Sequence, residues 1–158
     1  MSQNSAQILR QSLEKKNTIL DAIIEQNSIQ EDILKEDNLD MDAFDASINR
    51  IGELVEELEK LDDGFETLYN RVRVEIMNNR SEYRTEIAQM QTLIQKITDK
   101  IVTINAAKMR NQMRAENHFK QKSREIKNAM SKTNATKSYY NNMNNLNYVA
   151  PQFYDSKK

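Results

Sequence analysis

The chain has 158 residues, with two glycines, one proline, no tryptophan and no cysteine. Sheet folds need the turns that Gly and Pro supply, so the composition points to a few long helices. The lack of thiols excludes disulfides, thiol catalysis and thiolate metal sites. The net charge of −1 conceals a division: residues 1–66 hold 6 Lys/Arg against 17 Asp/Glu, and residues 67–158 hold 17 against 7.

The N-terminal MSQNSAQILRQ lacks the basic-then-apolar order of a secretory signal, so a cytoplasmic location is expected. A first helix is predicted from Ser5 to Leu34. Its stripe runs through Leu9, Leu13, Leu20, Ile23/Ile24, Asn27 and Leu34, at the steps of three and four that mark one helix face. Lys16, Asn27 and Gln30 fall on the same seam, where polar residues weaken a coiled coil and fix its register. Asn27 is expected at the seam edge, in water.

Lys35–Asp40 reads as an acidic turn. Asp40 is suited to N-cap the next helix, because its carboxylate can accept from free amides of the first turn. Leu39 and Phe44 occupy the two positions of a hydrophobic staple. The second helix then carries Phe44, Ile48, Ile51, Val55, Leu58, Leu61, Phe65, Val72 and Ile76 on one face. Some 35 helical residues span about 50 Å, so this rod must lie against other long helices. Asp63-Gly64 is a turn signal, but the apolar phase continues across it, which predicts an unbroken helix carrying Gly64 at a cost of about 1 kcal/mol. Gly52 or Gly64 would alternatively mark a close helix approach.

Met77–Ser81, with two asparagines and Ser81 as a cap, predicts a turn into a third helix. That helix has a regular seam of Tyr83, Ile87, Met90, Leu93/Ile94, Ile97, Ile101 and Ile104. Beyond Ile104 the seam positions become Lys108, Asn111 and Ala115, and 10 Lys/Arg face two Glu between Lys100 and Lys137. This predicts a basic amphipathic helix that projects past the bundle. Residues 131–158 are rich in Asn, Ser and Lys, which argues against a packed core, yet hold four of the six tyrosines.

The expected architecture is therefore all-α: an elongated antiparallel bundle of three long helices with coiled-coil-like seams. The body is residues 1–105, the projecting helix 106–130 and a flexible tail 131–158. The acidic helices can offset the basic one within the bundle, or the charge can serve an outside partner.

Catalytic patterns are missing. His118 is the only histidine, and Glu116, two residues away, points off its helix face, so no orienting carboxylate is evident. It is expected on the surface. Pairs such as Glu56/Glu57 and Asp62/Asp63 read as a solvated acidic face. No glycine loop or dinucleotide fingerprint occurs, and no cofactor or metal is expected. No apolar run approaches the roughly 20 residues of a membrane span.

Partner binding is the stronger expectation. Met109, Met113, Met130 and Met143 lie in or after the third helix, and methionine suits surfaces that accept variable apolar partners. The expected protein-binding residues are Met109, Met113, Phe119, Ile126, Met130, Tyr139, Tyr140, Met143, Leu146, Tyr148, Phe153 and Tyr154. Pairing with a second copy, as a coiled-coil scaffold or homodimer, is the alternative. Single-stranded nucleic acid on the basic helix and its tyrosines comes third, against the acidic balance of the whole chain.

The stretches ILRQSLEKKNTILDAIIEQ and EDNLDMDAFDASINRIGELVEELEKLDDGFETLYNRV, with the C-terminal APQFYDSKK, resemble flagellar type III export chaperones of the FlgN and FliT kind. The resemblance covers about the first 100 residues and the C-terminal end. It implies a cytoplasmic chaperone that holds hook-associated or filament-cap subunits and delivers them to the export gate. It further implies that Met109–Met130 and the aromatic tail take the subunit's terminal helices.

Overall fold

A computed structural model describes the backbone of residues 2–125 and the side chains of residues 5–125. Among these residues the secondary structure is three helices: α1 (Ser2–Lys35), α2 (Met41–Asn78) and α3 (Arg84–Glu125). The all-α bundle expected from composition and period is the one observed.

The α1–α2 connection follows the local chemistry of its residues. Asp40 Oδ1 accepts from the Ala43 amide at 3.1 Å and caps α2. Leu39 and Phe44 are both buried in one cluster, as a staple requires. The α2–α3 turn is built by Asn79. Its backbone amide donates to the carbonyls of Glu75 and Ile76, and its Nδ2 donates to the Glu75 carbonyl at 3.0 Å. The chain enters α3 through Tyr83, whose carbonyl accepts from Ile87 at 2.8 Å. Ser81, expected as the cap, lies in the turn and is exposed.

Cross-helix pairs set the directions. Lys16 meets Asp62 and Gln30 meets Ser47, so α1 and α2 are antiparallel. Arg10 meets Gln89, Asp21 meets Lys100 and Glu31 meets Arg114, so α1 and α3 are parallel. The result is an up-down-up bundle in which α1 packs against both neighbours.

The core has two parts. The larger joins Leu9, Leu13, Leu20 and Ile23 of α1 to Leu54, Leu58, Phe65 and Val72 of α2 and to Ile97 and Ile104 of α3. Each fully buried Leu or Ile contributes about 1.5–3 kcal/mol of transfer free energy. The smaller holds Leu34, Leu39, Phe44, Ile48 and Ala115, with Phe119 packed against it. Gly64 sits within an unbroken α2. A methyl group added at Gly52 or Gly64 would meet nothing within 4 Å, so neither glycine marks a close helix approach.

The third helix departs from expectation beyond Ile104. It does not leave the bundle at Ala106: Lys108, Asn111 and Ala115 are buried and Phe119 reaches Phe44. The boundary expected at 105/106 falls inside one continuous helix. The end of the expected helix, 126–130, and the expected flexible tail lie outside the described residues.

Candidate protein-binding face

The inner face of the last five turns of α3 is held by polar groups. Asn111 Nδ2 donates to the Asn27 carbonyl at 3.0 Å and to Gln30 Oε1 at 3.3 Å. Gln30 Nε2 donates to Ser47 Oγ at 3.0 Å, and the Ser47 hydroxyl donates to the Phe44 carbonyl at 2.7 Å. One hydrogen-bonded relay thus crosses α3, α1 and α2 between the two apolar clusters. Each link satisfies a group whose burial unpaired would cost about 1–3 kcal/mol. Asn27 is 3% exposed, a core member and not the water-facing edge residue expected. Its Nδ2 has no hydrogen-bond partner among the described residues.

Further along α3, Arg114 Nη1 donates to Glu31 Oε1 at 2.9 Å. His118 is half-buried, not a free surface histidine, and its Nε2–H donates to the Leu34 carbonyl at 2.6 Å. That carbonyl belongs to the last turn of α1, where carbonyls lack helical partners. Phe119 meets Phe44 edge-on, with ring centroids 6.1 Å apart at 65°. Lys108 is 3% exposed, and burial pushes its ammonium pKa down.

The outer face of the same turns is apolar. Val102, Met109 and Met113 are each 64% exposed, and Ala106 between them is exposed too. At 100° per residue these four positions fall in an arc of about 60°, opposite the arc of Ile104, Lys108, Asn111 and Ala115. Arg110 flanks the stripe, and Lys120 and Arg124 continue its phase beyond Met113, all exposed.

The expected binding residues therefore divide. Met109 and Met113 share the outer stripe, whereas Phe119 faces inward as part of the core. Ile126, Met130, Tyr139, Tyr140, Met143, Leu146, Tyr148, Phe153 and Tyr154 lie outside the described residues. Val102 and Ala106 are additions. Val102 lies seven residues before Met109 and Ala106 seven before Met113, in the same helical phase, so the period that found the seams also finds them.

Charge is offset partly within the bundle. Lys100 pairs with Asp21 at 2.6 Å and Arg114 with Glu31, joining basic α3 to carboxylates of α1. Glu56, Glu57, Glu59, Asp63 and Glu66 of α2 stay exposed. Asp62 does not belong to that solvated face. It is 5% exposed and paired with Lys16.

Among the described residues no three His, Asp or Glu side chains are grouped to hold a metal ion. No described helix is long and apolar enough to cross a membrane. No protein-family model, no curated protein and no solved structure matches the chain.

Proposed function

We propose that the chain is a non-enzymatic chaperone that binds helices of another protein on the outer face of α3. The observation that carries this is the stripe of Val102, Ala106, Met109 and Met113, displayed on a helix whose opposite face is already filled. An amphipathic helix laid on it would bury the apolar side chains that now meet water. Methionine adapts to partners of different shape. With the resemblance to the FlgN and FliT kind, the reading sharpens. The clients are flagellar hook-associated or filament-cap subunits, held in the cytoplasm and handed to an export-gate component.

The test is capture from a native lysate with the full chain, alongside Met109→Ser/Met113→Ser. Substitution is the right perturbation, because cutting at Ala106 would also remove Asn111, Ala115 and Phe119 from the core. Recovery of a hook-associated or cap subunit by the parent chain, lost in the double variant, supports the reading. Recovery of such a subunit equally by both, or of none, counts against it.

The same stripe favours one other reading, a scaffold in which two copies pair along α3. Sedimentation over a range of concentrations separates the two: a scaffold stays dimeric on dilution, and the double variant becomes a monomer.

A further inference from the structure

Beside the outer stripe, a groove of about 200 Å³ runs between α1 and α3. Ile24 and Ala107 give it apolar walls, and Asn27, Ser28, Glu31, Thr103 and Arg110 give it polar groups. Drug-sized ligands and cofactors occupy roughly 300–1,000 Å³, so this space suits a single side chain. Thr103 and Arg110 each follow a stripe residue, about 100° further round the helix. A helix lying on Val102 and Met109 therefore has its flanking side chains over the groove.

The polar groups define what fits. Arg110 is exposed and makes no ion pair with any described carboxylate. Asn27 lines the groove while its own Nδ2 donor goes unmatched, a costly state for a buried amide. Glu31 also lines the groove, and its carboxylate is engaged, at 2.9 Å from Arg114 and 4.0 Å from Lys35, which offsets its repulsion of a second anion. The other α1–α3 groove, near Arg10, differs: its arginine already donates to Gln89 and pairs with Glu14.

We propose that this groove is the subsite for an acidic side chain of the bound helix, with Arg110 as its counter-cation and the Asn27 amide as a donor at its floor. The wall of Ile24 and Ala107 suits the methylene stem of a glutamate. The inference rests on the protein-binding reading and names the chemistry of the partner: an amphipathic helix with a glutamate flanking its apolar stripe.

The probe is the sodium salt of N-acetyl-L-glutamate α-N-methylamide, whose only carboxylate is the side chain's, titrated into the ¹⁵N-labelled full chain at constant ionic strength. The readout is the Asn27 side-chain amide and Arg110 Nε–H signals, followed to well above a dissociation constant of about 1 mM. The expected result is a saturable shift of both signals. The α-N-methylamides of N-acetyl-L-glutamine and N-acetyl-L-lysine should produce none, and Arg110→Gln should weaken binding about tenfold, the loss of one charge-assisted hydrogen bond. No saturable shift, or an equal shift with the lysine derivative, overturns the subsite. Equal shifts with inorganic phosphate would reduce it to an unspecific anion site and overturn it too. The titration needs no partner protein, so its failure is separate from failure of client capture. A client still lost on Met109→Ser/Met113→Ser but retained at full affinity by Arg110→Gln would leave the chaperone reading standing without the subsite.

Discussion

Lys16 Nζ lies 2.8 Å from Asp62 Oδ1, and the two side chains are 1% and 5% exposed. Burial pushes the Lys16 pKa down to about 8 and pushes the Asp62 carboxyl up, each opposed by the charge of the other. Both shifts favour the neutral forms, so dehydration outweighs attraction here. Replacing both residues together, Lys16→Met with Asp62→Leu, should therefore be neutral or stabilise the fold by about 1–4 kcal/mol. Either single replacement strands a buried charge and should cost about 3–5 kcal/mol. Guanidinium unfolding of the four proteins checks this. A stabilising single variant would contradict it.

The same pair sets a pH dependence. For Lys16 the folded pKa is below the unfolded 10.5, so its contribution is favourable above 10.5 and is lost as pH falls through about 8. For Asp62 the folded pKa is above the unfolded 3.8, so its contribution is favourable below 3.8 and is lost as pH rises through the raised value. Between those limits both groups are charged and both penalties apply. The advantage of the double variant over the parent should thus be greatest near neutral pH and shrink toward pH 4 and pH 10. An advantage independent of pH would assign it to packing alone.

Gly64 is in mid-helix, exposed, with open space where a methyl group would go. Gly64→Ala should stabilise the bundle by about 1 kcal/mol through helix propensity. For a chain of this size that is a rise in Tm of about 2–4 °C. Thermal unfolding followed by circular dichroism is sufficient. A fall in Tm would mean that something packs on this face of α2.

The apolar period made all three helices and both turns legible, because Leu and Ile repeat in phase along each. It also placed Lys16 between Leu13 and Leu20 on its seam, whereas between Leu58 and Phe65 the predicted stripe runs through Leu61 and the buried residue is Asp62. Reading Asp62 together with Asp63 as one solvated pair missed this, since neighbours on a helix point about 100° apart. The end of α3 failed for a different reason. Lys108, Asn111 and Ala115 were in phase, but a seam without Leu or Ile reads as unattached. What attaches it is complementarity between Asn111 and Gln30, 81 positions apart, which no periodicity in one helix reveals.

Asn111 therefore carries a specific prediction. Asn111→Ala removes the donor to the Asn27 carbonyl and to Gln30 Oε1, and should cost about 1–3 kcal/mol. The effect should be local first. Amide hydrogen exchange in residues 108–119 should quicken more than that around Ile97 and Ile104, which are set in the larger apolar cluster. Uniform quickening along α3 would show the bundle opening as one unit, with the relay contributing no separate anchor.

The two faces of α3 should respond oppositely to the same kind of change. Met109 and Met113 touch water, and exposed substitutions usually stay within about 0.5 kcal/mol. Met109→Ser/Met113→Ser should thus leave stability nearly unchanged while removing the apolar surface a helix would cover. Phe119→Ala faces inward. It deletes the ring that meets Phe44 at 6.1 Å and should cost about 1–3 kcal/mol, below the range for a fully buried Phe because Phe119 is half-buried. Denaturant midpoints for the two variants decide the matter. If the methionine variant unfolds much more easily than the parent, the stripe is covered within the chain itself and is not displayed for a partner. If Phe119→Ala is silent, the end of α3 is held by the Asn111 relay and the Arg114–Glu31 pair without help from the smaller apolar cluster.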